Sequence, residues 1–350
     1  MKIKHKLLVA ATAIIAAFGI NTTTTHAAKY SKTEAKQVRQ FQKRYHALSK
    51  VKYNKQNIYA QQPNFGLPFS AGGLNPSYIP DTMSYVNYYR SLAGLPTELN
   101  HADDNSHAQI GAAALAAVNA KKDLNVHGLL GYTRPFYFNE TDWNIAENST
   151  LGNVNFLESN NGATAGDIVT DLIREDNNIA GKGNIGHRAL ILSARATRMG
   201  IGAAYGDGVS NNVLYSVQNG WFADDILRDP VVDTMVYPAR RVFPYELVGK
   251  KTPWSFSTTK KITGTPKIYI TDMTTKKRYR ATQVRNFSTA FYGDGYTTTI
   301  TYQPGKTKLI NTHKYKLKIG KYYTYTFRFF RQKVVTLQLI HSNYFFIFKL

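Results

Sequence analysis

Four side chains suited to acid–base or metal chemistry stand at the ends of successive segments: His127, Glu147, Glu175 and His187. Glu175 closes an amphipathic run in which Ile168, Leu172 and Ile173 fall at helical spacing, with Thr164 placed as its N-cap. Asn177, Asn178 and glycines 181, 183 and 186 break the chain before His187 opens a short apolar helix. A loop that folds back there would bring the carboxylate and the imidazole together. Two imidazoles on facing elements can ligate a divalent ion such as Zn²⁺ and leave positions open for water or substrate. A carboxylate beside a metal-bound water can act as general base, while the second orients it or shifts a pKa. That would be metal-assisted hydrolysis. Two alternatives stay open: ligand or metal binding without turnover, and a hydrogen-bonded His–Glu network that only holds a cleft in shape. No HExxH, Cys/His pair or GxSxG supports a standard hydrolase mechanism. Ser149, beside Glu147, reads as a cap or loop hydroxyl. His101 and His107 read as solvated, and His313 and His341, among basic strand residues, as surface groups.

The elements that must position these groups can be read in order. Ser31-Lys32-Thr33-Glu34 is a capping box opening a basic helix to about Lys50, with Val38, Phe41, Tyr45 and Leu48 on one face. Residues 53–76, rich in Asn, Gln, Pro and Gly, read as a linker. A helix from Ile79 ends at Gly94, placed as its C′ residue, with Pro96 beyond. The alanine-rich Asn105–Lys122 helix implies close approach to another element, and His127 comes directly after it. Met199–Tyr205 and Val213–Val217 read as strands, so helices and strands without βαβ alternation predict an α+β domain. Pro230, Pro238 and Pro244 mark a linker over 229–253. Beyond Trp254 the runs PKIYIT, KRYRATQV, YTTTITY, HKYKLKI and YYTYTFRFF predict a small antiparallel β-sandwich over 254–350.

Residues 1–27 read as a secretory signal: Lys2, Lys4 and Lys6, an apolar Leu7–Ile20, and a small-residue cleavage site ending at Ala27. The apolar run falls short of the roughly 20 residues a span needs, so no transmembrane segment is expected after cleavage. The absence of cysteine in an exported chain of 350 residues favours a Gram-positive bacterium. Charge is segregated. Residues 75–230 carry 10 Lys+Arg against 17 Asp+Glu, whereas residues 231–350 carry 22 against 4. An acidic working domain between basic flanks predicts attachment to anionic cell-wall polymers or an envelope surface. Lys276-Lys277-Arg278 could meet phosphates nonspecifically, but no nucleic-acid module accompanies them, and no specific nucleic-acid partner is expected.

NVHGL (125–129), IAENSTLG (145–152), LIRE (172–175) and GHRALIL…MGIG (186–202) resemble the signature segments of the CAP superfamily, the cysteine-rich secretory, antigen 5 and pathogenesis-related proteins. In bacteria these are called SCP-like domains. The resemblance covers roughly residues 79–223, and VYPARRVFPYELVGKKTPWSFS is similar to the segment next to the domain, on its C-terminal side, in some bacterial members. It implies a CAP-type α-β-α sandwich over 77–228, preceded by the basic helix and linker of 28–76. It also implies that His127, Glu147, Glu175 and His187 converge on one cleft. Leu172 stands where the family usually has tryptophan, which changes the cleft wall. The expectation is therefore a secreted or cell-wall-associated protein whose cleft takes an unidentified extracellular ligand. In the alternative, Glu147 or Glu175 is the base of a peptidase-like hydrolase, with His127 and His187 as ligands of Zn²⁺ or another divalent metal.

Overall fold

The computed structural model describes residues 30–206, 212–219, 225, 227–289 and 292–333. The segment read as an export signal and His341 lie outside the described residues. From the N-terminus the elements are α1 (Lys32–His46), β1 (Lys52–Tyr53), β2 (Tyr59–Gln61), β3 (Gly73–Leu74), α2 (Tyr78–Ala93), α3 (Ala102–Ala117), a 3-10 turn (Leu124–Leu129) and α4 (Glu140–Ser149). Next come β4 (Asn153–Glu158), β5 (Ala163–Thr164), α5 (Ala165–Arg174), α6 (Gly186–Ile191), β6 (Gly200–Tyr205) and β7 (Val213–Asn219). The rest is strand-rich: β8 (Thr234–Tyr237), β9 (Arg241–Pro244), β10 (Trp254–Thr258), β11 (Ile268–Asp272), β12 (Arg278–Arg280), β13 (Thr282–Asn286), β14 (Thr298–Gln303), β15 (Lys314–Ile319) and β16 (Tyr323–Phe330). The fold class is α+β.

The first unit is built on the antiparallel sheet β4-β7-β6. Strand alternation divides its side chains. Val154, Ala204, Tyr215 and Val217 pack with the alanines of α3 and with Trp143 of α4, while Ile201, Ala203, Tyr205 and Leu214 join the core of α2 and α5. Helices thus cover both faces. The small residues of α3 let it sit directly on β6. A Cβ added at Gly202 would stand 2.1 Å from the Ala108 carbonyl oxygen, and one at Gly200 would stand 2.3 Å from that of Asp104. The capping box expected at Ser31 forms with Glu34, the N-cap expected at Thr164 is part of a further capping box with Asp167, and Gly94 closes α2 in the left-handed conformation. Residues 53–76 are no free linker. Tyr53, Ile58 and Tyr59 are buried, the Tyr205 backbone N–H donates to the Tyr59 hydroxyl, and the Tyr205 hydroxyl donates to the Tyr53 carbonyl.

The C-terminal unit pairs a four-stranded sheet, β13-β14-β10-β8, with a five-stranded one, β12-β11-β15-β16-β9. The two face each other through aromatic rings: Trp254 meets Phe327 at 5.6 Å and Phe256 meets Tyr323 at 5.5 Å between centroids. Three expectations change here. Residues 229–253 are not a linker, because β8 and β9 lie within the sheets and their prolines fall at strand ends, where no ladder hydrogen bond is lost. The pairing is not wholly antiparallel, since β9 runs parallel to β16. KRYRATQV is not one strand: buried Ala281 marks its crossing from one sheet to the other. His313 is also corrected. It is buried, with Nδ1 2.9 Å from Asp272 Oδ2. No helix among the described residues is long and apolar enough to cross a membrane.

The close contact between α3 and β6 yields a direct check. Gly202→Ala should lower stability by about 3 kcal/mol, because backbone atoms cannot yield to the added methyl. Gly94→Ala, whose Cβ would meet nothing within 4 Å, should cost only the left-handed strain of about 1 kcal/mol. Urea unfolding midpoints of the two variants compare the costs; equal midpoints would refute the packing argument.

Candidate functional site

Glu175 terminates α5 in the left-handed conformation, with φ of 60°. The turn aims its carboxylate inward, where it accepts three hydrogen bonds: from His187 Nδ1 at 2.8 Å, Asn178 Nδ2 at 2.8 Å and the Arg188 backbone N–H at 2.8 Å. Its side chain is wholly buried, while that of His187 keeps 19% exposure. Asn184 starts α6 by accepting the Gly186 N–H. The loop expected to fold back does so, and it joins Glu175 to His187.

His127 reaches the same place from the 3-10 turn, where Gly128 takes a φ of 75°. Its Nδ1 lies 2.9 Å from the Thr150 carbonyl oxygen, and the Thr150 hydroxyl accepts the Gly128 N–H. A carbonyl only accepts, so neutral His127 carries its proton on Nδ1 and its lone pair on Nε2. His127 and His187 line a cavity of about 290 Å³. Beneath it, a cavity of about 40 Å³ is lined by both histidines and Glu175, with room for an ordered water. Glu147 stands apart: its Oε1 accepts from Trp143 Nε1 one turn earlier on α4, at 2.8 Å, and it is not among the residues lining either cavity. Three of the four expected residues meet, and the fourth braces α4.

The two imidazoles titrate in opposite directions. Burial pulls His187 down, but the charge and hydrogen bond of Glu175 outweigh it and hold the pKa above the ordinary 6.5. Burial pushes His127 below 6.5, against the Thr150 carbonyl and with help from the charge of His187. By linkage, His187 adds stability below pH 6.5 that is lost as pH rises through its folded pKa. His127 adds stability above pH 6.5 that is lost as pH falls through its own depressed pKa. Between the two values the cleft holds one imidazolium and one neutral ring.

The rest of the cleft could not be anticipated from motifs. Leu124, Leu151 and Ile179 line it while 51%, 49% and 46% exposed, forming an apolar rim. Tyr292 and Gly293, from the loop between β13 and β14, supply a wall from the sandwich. The glycine-rich wording at 293–295 signals a turn but not where the turn lands. Among the described residues no group of three or more His, Cys, Asp and Glu is placed to hold a metal ion. Neither a protein-family model nor a curated protein sequence matches the chain.

Replacing Glu175 with Gln removes the charge that opposes burial at His187. Imidazole ¹⁵N shifts followed against pH should show the His187 pKa falling below 6.5 in Glu175→Gln, with His127 still depressed. An unchanged His187 titration would refute the assigned pairing.

Proposed function

We propose that the chain is an exported CAP-superfamily protein that takes an extracellular ligand into the His127/His187 cleft and is held at an anionic envelope by its basic flanks. The α-β-α layering of the first unit and the meeting of His127, Glu175 and His187 support the family reading. The observation that carries the binding function is the make-up of the cleft: an exposed apolar rim of Leu124, Leu151 and Ile179 over two imidazoles fixed from behind. Such a site favours a ligand with an apolar body and a polar group that meets the rings.

A divalent ion such as Zn²⁺ fits the donor set in a limited way. Both Nδ1 atoms are engaged by protein oxygens, as is usual for ligating histidines, so Nε2 of His127 and of His187 would hold it. Both oxygens of Glu175 are engaged and Glu147 does not line either cavity, so neither carboxylate joins them. Bound there, the ion would supply Lewis acidity. Its affinity should rise with pH, since His187 must first shed its proton. Hydrolysis is the second reading, favoured by the opposite shifts of two imidazoles in one cleft, which is how acid and base roles are divided.

One experiment separates the readings. The wild type, Glu175→Gln and His127→Ala/His187→Ala are incubated with purified Gram-positive cell walls and Zn²⁺ or Mg²⁺, and bound protein and soluble fragments are measured. Binding alone predicts equal sedimentation of all three, no fragments, and release at 1 M salt, where the Debye length falls to ~3 Å. Fragments that Glu175→Gln and the double variant fail to produce would establish a hydrolase. Retention at 1 M salt would sink the electrostatic attachment.

A further inference from the structure

We propose that the outer face of the five-stranded sheet, centred on β15, binds a base-free phosphodiester polymer, poly(glycerol phosphate) of the teichoic-acid type. This rests on the envelope-attachment reading and gives it an address. Strand alternation builds the face. Tyr315, Leu317 and Ile319 point into the sandwich and are fully buried, so Lys314, Lys316 and Lys318 point outward. Pairing places Lys316 beside Thr271 and Lys318 beside Tyr269 on β11, and these beside Arg278 and Arg280 on β12. On the other flank, Thr326 and Thr324 of β16 pair with Lys316 and Lys318. Arg278, Arg280, Lys316 and Lys318 are exposed. The result is a lysine row and an arginine pair, with hydroxyls between and beside them. Same-face neighbours recur about every 6.8 Å along a strand.

Among the described acidic residues of the C-terminal unit, none faces Arg278, Arg280, Lys316 or Lys318. Asp272 of β11 points inward to His313, Asp294 is buried, and Glu246 lies against Arg331. Glu34, which α1 brings to the β16 side, is occupied by Arg328 at 3.2 Å and Lys314 at 3.6 Å. Asp233 precedes β8, in the other sheet. Cations spread over two strands of an open sheet suit repeated phosphates better than one small anion. The choice of backbone rests on the aromatics. Tyr269 lies within the cationic field, and its ring is already covered by the Arg278 guanidinium at 3.9 Å. A single-stranded nucleic acid gains base-stacking energy from bare rings, and the covered Tyr269 does not offer one. A polymer of phosphates and small polyols needs none.

The test uses the signal-free chain and purified poly(glycerol phosphate) of defined length. Binding is measured across a salt series for wild type, for Arg278→Gln/Arg280→Gln/Lys316→Gln/Lys318→Gln, and for Lys36→Gln/Arg39→Gln/Lys43→Gln on exposed positions of α1. All substituted side chains are exposed, and circular dichroism melts verify that each variant stays folded. The sheet variant should lose about 100-fold in affinity at low salt, and its slope of log K against log salt should flatten by about 3. The α1 variant should bind like wild type. Wild-type binding that survives in the sheet variant overturns this inference but leaves the attachment reading standing. No binding by the wild type overturns both. Tighter binding to oligodeoxythymidine of equal phosphate number makes the face a nucleic-acid surface instead, and also overturns it.

Discussion

The arrangement of the cleft depends on one buried carboxylate. Taking an anion out of water costs several kcal/mol unless donors replace the lost hydration. Glu175 receives three donors, Asn178 from the loop after it and His187 and the Arg188 backbone N–H from the start of α6. Those bonds also offset the roughly 1–2 kcal/mol that a left-handed backbone costs a residue with a Cβ. Glycine at 175 would relieve the strain and leave three donors without an acceptor. The loop closes because the charge demands it, and closing the loop puts His187 into the cleft beside His127.

The same closure ties the two units together. Arg188, next to His187, is buried, lies over the Tyr237 ring at 3.9 Å and donates to the Pro253 carbonyl oxygen at 2.8 Å. Asp176, next to Glu175, accepts from Arg174 and from the Thr252 hydroxyl. Each titratable residue of the dyad therefore has a sequence neighbour that reaches into the C-terminal unit. Gly183, on the intervening loop, lies so close to β14 that a Cβ there would stand 2.9 Å from the Thr301 hydroxyl. One continuous core runs from α2 and α5 into the sandwich. With Tyr292 and Gly293 as a wall, the cleft is a product of both units, so the sandwich shapes the ligand site as well as any attachment.

This explains what was legible in the sequence and what was not. Local chemistry was readable. The capping box at Ser31, the N-cap at Thr164, the left-handed stop at Gly94 and the Glu175–His187 return each depend on residues close together in the chain. Long-range placement was not. Proline at 238 and 244 reads as a break, yet strand ends tolerate it, and so β8 and β9 were hidden. His313 lies among basic residues and reads as exposed, but just ahead of β15 it meets Asp272, far away in sequence. Glu147 and Trp143 are four apart on one helix, a spacing visible in the sequence, and they satisfy each other rather than the cleft.

The period-two rule that makes the sandwich also separates its two surfaces. In β15 every second residue is apolar, and those residues fill the space between the sheets; the intervening positions are then free of packing constraint and are all lysine. In β16 the inward positions Tyr323, Tyr325, Phe327 and Phe329 form an aromatic stack, while the outward ones carry threonine until Arg328 and Phe330 meet α1. Lysine on open strands discourages edge-to-edge pairing, but that need is local to the edge strand β12 and does not account for a row on interior β15. An interior lysine row with Arg278 and Arg280 on the same face two strands away, beyond Thr271 and Tyr269, loses free energy to self-repulsion, and a bound polyanion would remove that loss. The cationic face is thus more easily explained by something it holds than by the sheet that carries it.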